Sequence, residues 1–316
     1  MKSPISTATI NSGLVCISAI LALFLPLELF LFSYAVLGPL HYLTEIHWLH
    51  NKQYFASRSY DGLWIFIVTI PLLLSGIGLI LLPTPLTLLL LTWSFFWAGI
   101  LTVTKPWSYR ILYGVLALLL STLLIQLPST AIVIGIFLPT IIHVFIFTGL
   151  FMVWGALKRN TLAEYVHITI FLITAITMII LPVQSILSSS EYLLNAFAPF
   201  TNVHLELMRL FQFSIPLQDV FTSDGAARVM RFLAFAYTYH YLNWFSKTSI
   251  IEWHKASKPV LFIIVVSWLI AIGLYAYDYS IGLQVLFVLS FLHVILEFPL
   301  NWKSFIEIPL LLLHKK

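Results

Sequence analysis

The sequence predicts an all-α, polytopic membrane protein, a single transmembrane helical bundle over residues 1–316 with about nine spans. Three observations carry this. Of the 316 residues, 60% are hydrophobic and only 9% charged, against about 25% charged in soluble domains. Apolar runs of about 20 residues, the length that crosses a hydrocarbon layer, follow one another along the chain. Basic residues recur in alternate loops, as they do when they are kept on one side of a bilayer.

The first run, 14–37 with a possible continuation to 50, has no small-residue cleavage site after it and reads as a retained helix. The others cover 61–82, 84–103, 107–127, 129–156, 163–186, 226–246, 258–276 and 280–300, with Pro83, Pro85, Pro128, Pro182 and Pro259 at the joints. Lys52 and Arg58 follow the first helix, Lys105 and Arg110 the third, and Lys158 and Arg159 the fifth. Lys247, Lys255 and Lys258 follow the seventh, and Lys303, Lys315 and Lys316 the ninth. The loops after the second and fourth helices carry no charge, and the loop after the eighth has Asp278 alone. This alternation predicts an outside N-terminus and a cytoplasmic C-terminus. It also places the amphipathic segment 187–225 outside, as an interfacial helix or a lid over a lipid entrance.

The net charge of +4 comes from basic residues scattered through short loops, so it gives no argument for nucleic acid. Cys16 is the only cysteine. It rules out an internal disulfide and, within one chain, a cysteine-ligated zinc or iron–sulfur site. No lysine lies in mid-span, and there is no P-loop, GxGxxG, GxSxG or dense histidine box of the membrane-desaturase type.

What stands out chemically is a histidine layer. His41, His143, His240 and His293 lie on odd-numbered spans, 11, 15, 7 and 10 residues before Lys52, Lys158, Lys247 and Lys303. At about 1.5 Å per residue those offsets cover about 12 Å of depth. Burying imidazoles in hydrocarbon is costly without partners, and neutral imidazole is the commonest protein ligand for transition metals. The four are therefore candidate metal ligands. His41 and Glu45, like His293 and Glu297, form HxxxE, which puts both side chains on one helix face. Such carboxylates can ligate a metal or orient the imidazole. Asn243, three residues after His240, can act similarly. His167 falls in the same layer and forms ExxH with Glu164, a spacing found in di-iron bundles, although Glu164 also suits a helix N-terminus. Each histidine read alone has an alternative as a hydrogen-bonded packing group. His47, His50, His254 and His314 read as helix-end or loop residues, and His204 receives no role. Glu28, beside Pro26, reads as either a proton-path carboxylate or a structural one. Tyr42, Phe145, Tyr239, Tyr241, Trp244 and Phe291 are candidate tunnel-lining aromatics, or general packing.

The contexts of the four histidines resemble one family. Gly38-Pro39-Leu40-His41 is similar to the GLPHG start of the Brp/Blh membrane β-carotene dioxygenases of bacteria and archaea. Ile141-Ile142-His143-Val144-Phe145 resembles its IIHFG, Tyr237-Thr238-Tyr239-His240 stands in the place of its third histidine, and Leu292-His293-Val294-Ile295-Leu296-Glu297 resembles its PHMILID. Trp244 stands where the family has a second histidine, Glu45 where an aspartate is usual, and about 45 extra residues separate the first two histidines. The resemblance implies histidine-held non-haem iron that cleaves a carotenoid with dioxygen, giving retinal, in a bacterial inner membrane.

The sequence thus predicts an integral-membrane metalloenzyme, an iron oxygenase acting on a lipophilic substrate drawn from the bilayer. Two alternatives stay open: a transporter or proton or metal-ion pathway using the same layer, and a structural subunit holding haem or quinone. Oligomeric state stays open as well.

Overall fold

The computed structural model describes residues 6–182, 190–214, 223–247, 251–252 and 255–313. Residues 187–189 and 215–222 of the segment 187–225, together with His254, His314, Lys315 and Lys316, lie outside the described residues. Among the described residues there is no strand, and eight helices are long and apolar enough to cross a membrane. The chain divides into two compact units, Met1–His41 with Val144–Ile251 and Tyr42–His143 with Glu252–Lys316. It passes from one unit to the other inside continuous helices, at His41 and again at His143.

In the first unit, Ser6 caps α1 (Thr7–Phe24) by accepting the Thr9 amide. The helix stops at Leu25, whose φ/ψ of −135/55 is non-helical, because the proline that follows disfavours the α region. Pro26 then opens α2 (Pro26–Asn51) at a position where its missing N–H costs nothing. The expected single first helix is therefore two helices. Asn11 of α1 is bonded to Ser246, at the end of α10 (Asp224–Ser246), while Ser33 and His41 of α2 meet Thr238 and His240 of α10. The chain thus makes a hairpin at Leu25, and α1 starts at the Ser246 end of this unit. Glu28 sits exposed in the first turn after the hairpin, where the positive end of the helix dipole suits it.

Helix α10 is buried along most of its length, with Tyr237, Thr238, Tyr239, His240 and Asn243 all enclosed. Its polarity keeps it out of the apolar-span class and fits a helix lined by protein. Packed on it are α1, α2, α7 (Leu162–Ile180) and α9 (Thr201–Leu210). α8 (Glu191–Phe197) and the turn that joins it to α9 dock on this unit through aromatic side chains: Phe30 meets Phe197, Phe200 and Tyr237 edge-on at 5.3, 4.9 and 5.0 Å. His204, fully buried, donates through Nε2 to the Ala226 carbonyl at 3.0 Å. Burial pushes its pKa down to about 4, partly offset by that hydrogen bond.

The second unit contains α3 (Asp61–Gly76), α4 (Thr84–Val103), α5 (Trp107–Leu124), α11 (Lys258–Tyr277) and α12 (Tyr279–Leu313). The predicted span 61–82 shortens to 16 residues because the chain turns at Gly78, with φ +77. Gly99 admits the Trp302 ring, 2.7 Å from where a Cβ would stand, and the indole donates to the Phe95 carbonyl, which seats α12 closely on α4.

Arg110, expected as a loop charge, is fully buried. Its guanidinium grips both carboxylate oxygens of Asp61 at 2.8 and 2.7 Å and also donates to Ser57 and to the Thr104 carbonyl. This pairing ties the turn before α3 to the turn before α5. The last long helix, α6 (Pro128–Arg159), has a π-helical stretch over Ala131–Phe147 that contains Pro139.

Candidate metal centre

Both units carry a buried histidine pair, and the backbone beside each pair is unusual. In α2 a π-turn over Ser33–Leu37 precedes His41, and His143 lies within the π stretch of α6. Each π-turn takes in an extra residue and re-aims the side chains after it, a feature that recurs at functional sites.

In the first unit, His41 and His240 are 1% and 8% exposed. Their Nε2 atoms are 3.1 Å apart and the rings meet edge-on at 79°. Nδ1 of His240 is held 2.8 Å from the Thr148 hydroxyl. Trp244 and Tyr241 close in on His41, each with a ring centroid at 5.2 Å.

The second unit repeats the arrangement. His143 and His293 are each 2% exposed, with Nε2 atoms 3.1 Å apart and rings at 77°. Nδ1 of His143 lies 2.8 Å from Glu297 Oε2, off the line of an ideal hydrogen bond. Nδ1 of His293 donates to the Leu289 carbonyl at 3.3 Å. Tyr42 stacks on His293 at 4.2 Å, and a Glu45 carboxylate oxygen lies within 4.8 Å of a His293 ring nitrogen. Glu45 is 2% exposed.

These contacts favour one assignment of the tautomers. A neutral imidazole has one N–H. A carbonyl holds it at Nδ1 of His293, and a carboxylate favours it at Nδ1 of His143. Both Nε2 atoms then carry lone pairs that face each other at 3.1 Å. That is unfavourable unless a proton or a metal cation lies between them. Imidazole nitrogens bound to one metal at about 2.0–2.1 Å, at right-angle to tetrahedral spacing, are roughly 2.9–3.4 Å apart. Both pairs fall in that interval. Nδ1 anchoring by a carboxylate, a carbonyl or a hydroxyl is the usual outer support of ligand histidines.

The remaining candidates divide. His167 is buried but bonds the Tyr239 hydroxyl at 2.6 Å, and Tyr239 in turn lies 3.5 Å from Asn243 Oδ1. These three form a polar group of their own in the first unit. Glu164 is drawn to Arg159, with Nε–Oε1 2.5 Å, and starts α7. Phe145 packs on Phe171 and Phe232, and Phe291 stacks on Phe287. Of the named aromatics, Tyr42, Tyr241 and Trp244 touch site histidines. His47 and His50 bond Asn51 and Tyr54 at a helix end.

Sequence reading missed Thr148 and the Arg110–Asp61 pair. A lone threonine in an apolar run usually bonds its own helix, as Thr69, Thr92 and Thr140 do here, so Thr148 gave no signal. Arg110 reads as an ordinary loop charge, and Asp61, 49 residues away, is only the first residue of the predicted span 61–82.

The chain is therefore a membrane-like helical protein with buried histidine and glutamate groups that can hold a metal ion. No protein-family model, curated protein or solved structure matches it.

Proposed function

We propose that this chain is an integral-membrane metalloenzyme in which His41, His143, His240 and His293 are ligands of non-haem iron, and that it oxidises a lipophilic substrate such as a carotenoid with dioxygen. The observation that carries the reading is the facing Nε2 atoms at 3.1 Å, with Nδ1 of His143, His293 and His240 each anchored from behind. The second unit alone supplies two imidazoles and, in Glu45, a carboxylate, the donor types of non-haem iron oxygenases.

Bound iron would supply a site for dioxygen chemistry beside the substrate. The residues of the chain do the rest. Glu297, Thr148 and the Leu289 carbonyl fix the imidazole tautomers. Tyr42 and Trp244 hold the rings of His293 and His41 and keep water away. The apolar spans offer a lipid-soluble substrate a path that never leaves hydrocarbon. The carotenoid class follows from the Brp/Blh resemblance of the histidine contexts. Haem fits less well: within either pair the rings are 4.7 and 4.9 Å apart, too close for a macrocycle to lie between them.

A second reading has a specific observation behind it. A proton relieves the facing lone pairs as well as a cation does, which suits a proton pathway through Glu297 and the histidines. Elemental analysis of detergent-purified protein, wild type and His143→Ala, separates the two. Iron near stoichiometry that is lost in the variant supports the enzyme and justifies assaying β-carotene with dioxygen. Absence of metal in both, after growth with iron, supports the proton pathway.

A further inference from the structure

A cleft of about 670 Å³ opens in the second unit where α2 gives way to α3, within the roughly 300–1,000 Å³ range of small-molecule sites. Part of its lining, a polar wall supplied by the end of α2 and the turn between α2 and α3, carries the hydrogen-bonding side chains of Asn51, Gln53 and Ser59. Its apolar lining includes Leu63 and Phe66 of α3 and Leu296 of α12. Leu63 and Phe66 are 59% and 39% exposed on an apolar helix, so this apolar lining continues onto a surface suited to lipid. Among its described lining residues there is no Asp, Glu, Lys or Arg, and the one imidazole, His50, shares a hydrogen bond with the Tyr54 hydroxyl at 3.4 Å. Of the nearby cations, Arg58 donates to the hydroxyl of Tyr60, itself a lining residue, and Lys303 lies over the Phe55 ring.

The turn that shapes the polar wall is strained. Gln53, Tyr54 and Phe55 have φ of +51, +54 and +56, three consecutive non-glycine residues in the left-handed region. Such strain persists only where the surroundings impose it, and it concentrates at ligand clamps. Here the surroundings are specific. The Tyr54 ring takes the space of a side chain at Gly62, 2.3 Å from where a Cβ would stand, and Phe55 is wedged against Trp48. The turn is thus held so that Gln53 and Tyr54 face the cleft.

We propose that this cleft is a binding site for a single-chain neutral amphiphile, a long-chain alcohol or aldehyde, that enters sideways from the lipid. Its apolar chain lies along Leu63, Phe66 and Leu296, and its oxygen bonds to the Asn51, Gln53 and Ser59 wall. A charged head is selected against, because the described lining holds no Asp, Glu, Lys or Arg to pair with it and desolvating an ion without such a partner is costly. The site requires no metal, so it stands or falls apart from the proposed iron centre.

Photolabelling purified protein in mixed micelles with diazirine-tagged hexadecanol tests this, with adducts mapped by peptide mass spectrometry. Adducts should concentrate within residues 46–66 and 292–296. Excess hexadecanol should reduce them at least about tenfold while palmitate leaves them in place, as a specific neutral site requires. Ser59→Trp, an exposed position, should reduce them similarly, and His143→Ala should not change them. Labelling spread evenly over lipid-facing α5, equal competition by palmitate, or full labelling of Ser59→Trp would overturn the proposal.

Discussion

At the scale of residues, the site rests on which nitrogen of each imidazole carries the proton. Glu297 matters as an acceptor beside Nδ1 of His143, which favours the proton there and turns the Nε2 lone pair inward. Glu297→Gln keeps the shape, but its amide can present N–H to the ring and invert the tautomer. Metal affinity should fall about 10–100-fold, read by competition with a chelator, and Thr148→Val should act similarly through His240. Variants that still hold metal with unchanged affinity would show that these contacts only pack. His204 makes a different residue-level prediction. Its pKa, ordinarily 6.5, is pushed down to about 4 by burial. The group is neutral when folded, so the stability it confers is intact above pH 6.5 and is lost as pH falls toward 4, roughly 3 kcal/mol in all. Amide exchange in α9 should speed up relative to α7 across that window, and His204→Gln should flatten the difference. His204 does not stand out in the sequence because its importance lies in burial, which a ten-residue amphipathic stretch does not reveal.

At the scale of elements, the decisive features are interruptions of regular helix. Hydrophobic runs made most helices legible: 84–103 appears as Thr84–Val103 and 258–276 as Lys258–Tyr277. What the runs could not convey is where the winding changes. The π segments before His41 and around His143 leave composition unchanged, yet they set which face each imidazole occupies. Pro26 was visible, but a proline in an apolar run can kink a helix or end it, and only the non-helical Leu25 separates the two outcomes. The Arg110–Asp61 clamp belongs at this scale too, since it joins the turns that begin α3 and α5. Breaking a buried pair leaves an unpartnered charge, so Arg110→Ala or Asp61→Asn should each cost about 3–5 kcal/mol in detergent unfolding. Changing both should cost much less than the sum of the two. Additive costs would mean that the two residues act separately.

At the scale of the molecule, the histidine contexts were legible because chemistry at a site is written in residue identity. The topology was less so, because it depends on counting spans. Reading α1 and the start of α2 as one helix left the N-terminus outside. The hairpin at Leu25 brings α1 back along α10, with Asn11 bonded to Ser246. That bond makes a test of sidedness within the first unit. In a Cys16→Ser background, single cysteines at Ser6 and Lys247 should react with an impermeant maleimide from the same side of the membrane. A cysteine at Tyr192, exposed on α8, should react from the other side, because α8 docks on the Phe30 end of α2, away from Ser246. Labelling of Ser6→Cys and Lys247→Cys from opposite faces would restore the single first span. It would also break the pairing of α1 with α10, the helix on which His240 depends for its place.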